Sequence, residues 1–571
     1  HYLSFSFPLS LFAFSFASLA QKSEAEDGVL SGTEKANSHT GFSGTGYVTG
    51  FDQDNDAVTM SVDVADEGLY ELWVGYSSPS GDKTNDIYIN GEYAGGQVFA
   101  KFSGFKESSF GKIRMDAGQN KIKVVKNWGY FELDYTRIEV SQPNDINNIA
   151  SKLVNEKATD EVQLLYRYLS DIYGHRILSG QQSSNGGDSE INFLQTKTGK
   201  KPAIKGFDLI EYSPSRVAHG STSNETNLAV DWWKDNHGIV SLMWHWNAPK
   251  DLIDQPDYEW WRGFYTYATT FDLSIAMNNA QSEEYQLIIR DIDAIATQLK
   301  VLSDAKVPVL WRPLHEAEGA WFWWGAKGAE PCVWLWKLMY DRITNHHGIN
   351  NLIWVWTGTD SESALDWYPG DDYVDIVGAD IYLNDKNYST SFSMFDKIVG
   401  IHEGKKIITL SETGVVPDAQ ALDDESARWN WFVTWSGDFI MDGAANEVSH
   451  LNTVYNHEYV ITLDELPDFT NYVSPVFTEE EEKVLLSAGL DGNKFSAYPN
   501  PANDFITIRW DKSLKVESAK IYDLRGQMLN KFGFDGYSEE FTFDLSFLQK
   551  GFYLLHVAAG NEIKVVKVLK N

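Results

Sequence analysis

Trp311-Arg-Pro-Leu-His-Glu-Ala-Glu-Gly-Ala-Trp-Phe-Trp-Trp324 follows directly on the apolar run 307–310, and the two together decide the fold. A short, continuous apolar run reads as a strand buried on both faces. This one ends in an imidazole, a carboxylate and a cluster of rings. Outward from it, similar runs stand at 175–182, 201–208, 238–246, 307–315, 351–357, 374–382, 405–412 and 431–436, separated by amphipathic helical stretches. Eight parallel strands with intervening helices predict a (β/α)8 barrel, whose functional groups gather at the C-terminal strand ends. Glu316 stands at the end of the fourth run and Glu412 at the end of the seventh. A doubly wound sheet is the alternative. Its Gly-rich phosphate turn is missing, because Gly44-Thr-Gly46 continues to Thr49 where that fingerprint needs Gly.

Aromatic faces stack on the C–H faces of pyranose rings, and a carboxyl desolvated by such rings has its pKa raised toward general-acid duty. Such an acid needs a second carboxylate, and Lys406-Ile-Ile-Thr-Leu-Ser-Glu412-Thr-Gly414 supplies one at another strand end. In a retaining glycosidase the two carboxyl groups stand about 5–5.5 Å apart, one serving as acid/base and one as nucleophile. Either Glu alone reads as an ordinary strand-end carboxylate; their joint occurrence beside aromatic residues favours catalysis. His315-Glu316-Ala317-Glu318-Gly319 is not a zinc-protease helix, because Gly319 stands where the second His would be required. Glu318 rivals Glu316 as the acid, but two residues further into the loop it is expected to be solvated. His315 is a candidate positioning residue.

The 571 residues exceed one ordinary domain, and composition places the chain in the soluble globular class with an unusual 21 Trp and 14% aromatic content. We expect a multidomain chain. Residues 1–20 read as a signal peptide with a truncated start. Residues 23–141 read as a β-sandwich, from alternating segments such as Gly68-Leu-Tyr-Glu-Leu-Trp-Val-Gly75. The polar stretch 141–148 reads as a linker, 155–470 as the barrel, 471–494 with its run Thr478-Glu-Glu-Glu-Glu-Lys483 as a second linker, and 495–571 as a small C-terminal β-sandwich. The net charge of −34 argues against nucleic-acid or anionic-membrane partners and is compatible with a neutral polysaccharide. The single Cys332 cannot form an internal disulfide.

Arg312-Pro-Leu-His315-Glu316, Gly319-Ala-Trp321-Phe-Trp-Trp-Gly325 and Leu410-Ser-Glu412-Thr-Gly414 together resemble glycoside hydrolase family 26. His before the acid/base, here His315, separates that family from related barrels, which usually carry Asn. The resemblance implies Glu316 as acid/base and Glu412 as nucleophile. It implies His245, within Trp244-His245-Trp246, and His315 as substrate-side residues, and Trp321 as a sugar platform. Asp380 and Tyr382 would flank the nucleophile, with Tyr382 donating a hydrogen bond to Glu412. Trp435 would floor a subsite, in competition with Trp431, while Trp323 and Trp324 read equally well as core.

Residues 23–141 are similar to carbohydrate-binding module family 35, from Glu24-Ala-Glu26, Gly46-Tyr-Val-Thr-Gly-Phe51 and Leu133-Asp134-Tyr135. That likeness implies a structural Ca²⁺ with Glu24, Glu26 and Asp134 as candidate ligands. Trp128, beside Asn127, is the candidate sugar contact. The C-terminal segment, with Tyr498-Pro-Asn-Pro501, Gly551-Phe-Tyr553 and Lys564-Val-Val-Lys567, resembles the sorting domain of type IX secretion substrates of Bacteroidetes. The expectation is a secreted or cell-surface, monomeric endo-β-1,4-mannanase that needs no cofactor for catalysis. Its partners would be β-mannan or a related plant polysaccharide and the type IX machinery. The alternatives are a β-1,3/1,4-glucanase or β-1,3-xylanase with the same machinery, and a non-catalytic polysaccharide-binding protein.

Overall fold

The structure is a computed structural model that describes residues 20–469 and 472 and, further on, 495–498, 502–503, 505–510, 516–523, 528–533, 540–546, 548, 551–559 and 562–570. The leader expected at 1–20, apart from Ala20, and the acidic linker expected at 471–494, apart from Tyr472, lie outside the described residues. Residues 1–470 and 471–571 form two compact units. Among the described residues no helix is long and apolar enough to cross a membrane.

The barrel strands are β1 (Ile177–Gln182), β2 (Ile204–Asp208), β3 (Ile239–Trp244), β4 (Val309–Pro313), β5 (Leu352–Thr357), β6 (Ile376–Ile381), β7 (Ile407–Thr413) and β8 (Trp431–Thr434). Each is parallel to its neighbours, and pairing of β1 with both β2 and β8 closes the ring. The strands are buried along nearly their whole length, because helices cover the outside and side chains fill the inside. The long helix Glu283–Asp304 shows why the covering elements form. The Ser282 side chain caps it by accepting from Tyr285 N at 3.1 Å, two acids occupy its first turn, and Ile288, Ile292, Ile295 and Leu299 make one buried stripe.

The eight expected runs all form strands, but several stop earlier than their apolar composition suggests. The fourth ends at Pro313 because Leu314 turns left-handed, with φ of 51°. β7 carries a bulge where it meets β6: Ala379 pairs with Leu410 and Asp380 with Glu412, so Ser411 is left over. A bulge adds a residue to one strand and re-aims the next side chain. Here the next side chain is that of Glu412.

The N-terminal module is a sandwich of two antiparallel sheets with its own core, including Val48, Val58, Leu72, Val74, Leu133 and Val124. It does not hang from a free tether. Asn144, in the stretch expected to be a linker, donates through its backbone N to Asp396 Oδ1 at 2.7 Å and through Nδ2 to Oδ2 at 2.9 Å. Lys112 of the sandwich reaches the same carboxylate at 2.9 Å, with both groups nearly buried. Asp396 belongs to the helix Phe392–Ile401, and Ser393 of that helix donates to Phe110 O at 3.1 Å. The approach needs Gly111, whose φ is 111° and where a Cβ would stand 2.4 Å from Ser393 Oγ. The polar stretch read as a linker thus also bonds, through Asn144, to the barrel helix.

In the second unit, Phe495–Tyr498, Phe505–Trp510 and Glu540–Asp544 form one antiparallel sheet. Met528–Gly533, Val516–Asp523, Gly551–Ala559 and Glu562–Lys570 form another. Ile506, Ile508, Ile521, Phe543, Leu555 and Val557 lie in its core. This is the small β-rich unit that the strand and turn signals indicated.

Candidate active site

At the C-terminal rim of the barrel one carboxyl oxygen from each of Glu316, Asp380 and Glu412 lies within 4.8 Å of the other two. Among the described residues this is the only such cluster of potential metal ligands. A cation already occupies the logic of the site: Arg312, buried inside the barrel on β4, donates from Nη1 to Asp380 Oδ2 and from Nη2 to Glu412 Oε2, each at 2.6 Å. A guanidinium between two carboxylates supplies the countercharge that burial demands.

Glu412 is buried, and its second oxygen accepts from Tyr382 Oη at 2.5 Å. Burial and then the Glu412 charge push the Tyr382 hydroxyl far above its usual range, so it remains a donor. Burial likewise pushes Asp380 well up, against the pull of Arg312, and Ser411 donates to its other oxygen at 2.9 Å.

Glu316 is held differently. It is half-buried, its φ is 53°, and its only described side-chain partner is Trp321 Nε1, which donates to Oε2 at 2.9 Å. Burial, then the nearby Glu412 charge, raise its pKa above the usual carboxylate range. Trp321 is 48% exposed, and its ring lies over Gly319, where a Cβ would come within 1.9 Å of it. The glycine is therefore what admits the indole beside the acid.

Beneath these groups His245 Nδ1 faces Asp208 Oδ2 at 2.6 Å, and His245 Nε2 faces His315 Nε2 at 3.1 Å. Burial works against a charged His245, but the Asp208 carboxylate overrides it and the net shift is upward. Burial and Arg312 hold His315 far below its usual value. Both nitrogens of His245 are thus engaged, one by Asp208 and one by His315. Trp435 stands edge-on to His245 at 6.0 Å between ring centroids, whereas Trp431 is buried in the barrel. Trp323 and Trp324 are also buried, donating to Trp246 O at 2.5 Å and His315 O at 2.9 Å, so both are core.

Thus Glu316, Glu412, Asp380, Tyr382, His245, His315, Trp321 and Trp435 gather at one rim, while Trp128, Glu24, Glu26 and Asp134 belong to the sandwich. Glu318 is not simply solvated as expected: the hydroxyls of Thr359, Ser361 and Ser363 clasp it. The sequence reading assigned no role to Arg312 or Asp208. Each carried a signal, a charge inside an apolar strand for Arg312 and a carboxylate at a strand's C-terminal end for Asp208.

On the sandwich, Ser43 N donates to Asp134 Oδ1 at 2.9 Å, and Thr45 N and Gly46 N donate to Glu26 Oε1 at 2.6 and 3.0 Å. Glu24 Oε2 and Glu26 Oε2 are buried without a protein partner. Burial chiefly, with the two glutamate charges, raises Asp134 to about 6. Trp128 is 68% exposed, and its neighbour Asn127 donates to Asp86 Oδ1 at 3.0 Å.

A closed (β/α)8 barrel with a carboxylate pair and exposed rings at its C-terminal rim defines the barrel glycoside hydrolases as a class. Residues 154–465 match the model of glycosyl hydrolase family 26, and this chain belongs to that family. Residues 21–141 match carbohydrate binding module family 35, and residues 496–571 match a secretion system C-terminal sorting domain. The chain is therefore a glycoside hydrolase acting on polysaccharide, secreted or displayed at the cell surface. Mannan endo-1,4-beta-mannosidase of Thermothelomyces thermophilus is 42% identical over 443 residues, covering 78% of this chain and 90% of that protein. A Podospora anserina GH26-CBM35 beta-(1,4)-mannanase structure shares 42% identity with a TM-score of 0.56, covering 79% of this chain and 99% of its own. A beta-mannanase from a symbiotic protist of the termite Reticulitermes speratus, complexed with gluco-manno-oligosaccharide, shares 34% identity with a TM-score of 0.51, covering 56% of this chain and 98% of its own.

Proposed function

We propose that this chain is an endo-β-1,4-mannanase that retains anomeric configuration by double displacement. The observation that carries the mechanism is the approach of the Glu316 and Glu412 carboxyl oxygens to within 4.8 Å, which suits retention; an inverting pair stands about 6.5–9.5 Å apart to admit water. Glu316, whose pKa burial and the Glu412 charge raise, gives its proton to the glycosidic oxygen as that bond breaks. Glu412, oriented by Arg312 and Tyr382, attacks the anomeric carbon and forms the glycosyl-enzyme. Glu316, now a carboxylate, takes a proton from water as that water displaces Glu412 and restores the resting state. In this reading Trp321 and Trp435 stack on sugar rings, while His245, with Nδ1 against Asp208 and Nε2 against His315, has both ring nitrogens engaged within the protein.

Mannan as the substrate is supported by the names of the relatives. Reducing-end release from mannan, lichenan and β-1,3-xylan tests it; release from either of the last two with none from mannan overturns it.

For the sandwich we propose carbohydrate binding through Trp128 and a Ca²⁺ held by Glu24, Glu26 and Asp134. The two orphaned glutamate oxygens fit hard-cation donors, and the ion would supply structural charge compensation only. Calorimetric titration of Ca²⁺, with Glu26→Gln as control, reads this directly; no saturable heat in the native protein removes the site.

A further inference from the structure

The acid/base residue stands on an unfavourable backbone. Leu314, Glu316 and Ala320 all have positive φ, of 51°, 53° and 57°, a region non-glycine residues enter only when neighbouring structure compels them. Something must hold this loop. On one flank Thr266 does so, donating through Oγ1 to Ala320 O and through N to Trp321 O, each at 2.8 Å. On the other flank the work falls to Glu318. Its Oε2 accepts from Thr359 Oγ1 at 2.5 Å, and its Oε1 accepts from Ser361 Oγ and, at 3.0 Å, from Ser363 Oγ. Three hydroxyls from the loop after β5 thus close on one carboxylate, and no described cation bonds to it.

That loop is itself anchored. Asp360 faces Lys397 Nζ at 3.3 Å, and Lys397 lies on the helix Phe392–Ile401 that Lys112 of the sandwich and Asn144 grip through Asp396.

We propose that Glu318 is a positioning residue for the acid/base: the Glu318 carboxylate in its seat of Thr359, Ser361 and Ser363 holds the left-handed loop so that the Glu316 carboxyl points at the glycosidic oxygen. The seat lies two residues from Glu316 along the chain, so releasing it frees the segment that carries the acid. It does not touch Glu412, which Arg312 and Tyr382 hold from other strands. Loss of the seat therefore impairs proton delivery and leaves the nucleophile in place. This rests on the assignment of Glu316 as acid/base.

The test compares kcat/KM on mannotetraose, whose leaving group needs a proton, with kcat/KM on dinitrophenyl β-mannobioside, whose leaving group needs none. Glu318→Ala is expected to lose about 10–100-fold on the first and less than about 3-fold on the second, the range for a misplaced general acid. Glu318→Gln, which still meets the hydroxyls, is expected to lose less than Glu318→Ala. The Ser361→Ala/Ser363→Ala double variant reports the same split from the other side and carries the test if Glu318→Ala does not fold. Equal losses on both substrates, a change confined to KM, or a mannotetraose rate within about twofold of native overturns the proposal. Glu316→Ala, measured alongside, separates the two readings. If it fails to spare the dinitrophenyl substrate, the acid/base assignment is at fault. If it shows the split and the Glu318 variants do not, the seat is.

Discussion

Glu412 lies within a strand and has both oxygens claimed, by Arg312 and Tyr382, whereas Glu316 stands on a left-handed residue just after a strand has ended and accepts one described side-chain hydrogen bond. The two carboxyls share one space but are held differently, and the difference suits the roles proposed for them. A nucleophile must hold one trajectory and carry negative charge, which two donors and a bulged strand favour. An acid/base must exchange its proton with substrate and then with water, which favours partial exposure, few partners and a raised pKa. The difference lies in the surroundings, since the side chains are chemically identical.

The comparison breaks most visibly if either Glu is removed. Glu412→Ala is expected to abolish turnover of every glycoside, by about 10⁴-fold or more, as for other nucleophiles that act as part of a unit. Glu316→Ala is expected to lose about 10²–10⁴-fold on mannan while sparing bond cleavage for activated leaving groups, with azide restoring turnover. Identical profiles for the two variants across leaving groups would erase the distinction.

Arg312→Met tests whether the firm hold on Glu412 is electrostatic. Removing the guanidinium strands two buried carboxyls, and we expect about 3–5 kcal/mol of lost stability in denaturant titration, with activity lost in parallel. A loss below about 1 kcal/mol would mean that the carboxyls are stabilised without it.

Tyr382→Phe is expected to lower kcat by about 10²-fold with little change in KM, because the hydroxyl touches Glu412 and orients it. A change in KM alone would make Tyr382 a substrate contact instead.

The smallest effect sharpens the comparison from the other side. Burial raises the Glu316 pKa first and the Glu412 charge adds to it. Glu412→Gln should therefore move the Glu316 midpoint downward, read by carbon-detected NMR titration, and an unmoved midpoint would leave burial as the sole cause. In the native enzyme the sign is fixed by the same shift. Glu316 stays protonated past the usual carboxylate range, so kcat/KM falls on the alkaline side as pH rises through the elevated value.

Much of this was legible in the chain because a parallel barrel buries its strands on both faces, and burial writes itself as short apolar runs ending in functional residues. His315-Glu316 and Ser411-Glu412 could be found that way, one run at a time. Arg312 could be seen but not interpreted, because its two partners lie 68 and 100 residues further on. Glu318 was expected to be solvated because it stands two residues further into the loop than Glu316, and nothing local in the chain signals the hydroxyls of Thr359, Ser361 and Ser363 that meet it. Residues 141–148 were read as a linker from their polar composition, which could not show that Asn144 bonds to Asp396, 252 residues further on.

The sequence by itself determined the number of barrel strands, the two glutamates and the aromatic residues beside them, since each follows from local pattern and side-chain chemistry. Tertiary structure alone decided which carboxyl is held by two donors and which accepts one described side-chain hydrogen bond. That depends on a bulge at Ser411, a left-handed φ at Glu316 and a guanidinium reaching across from β4. These are relations among distant strands in a medium of low dielectric, where a charge's behaviour is set by what closes around it.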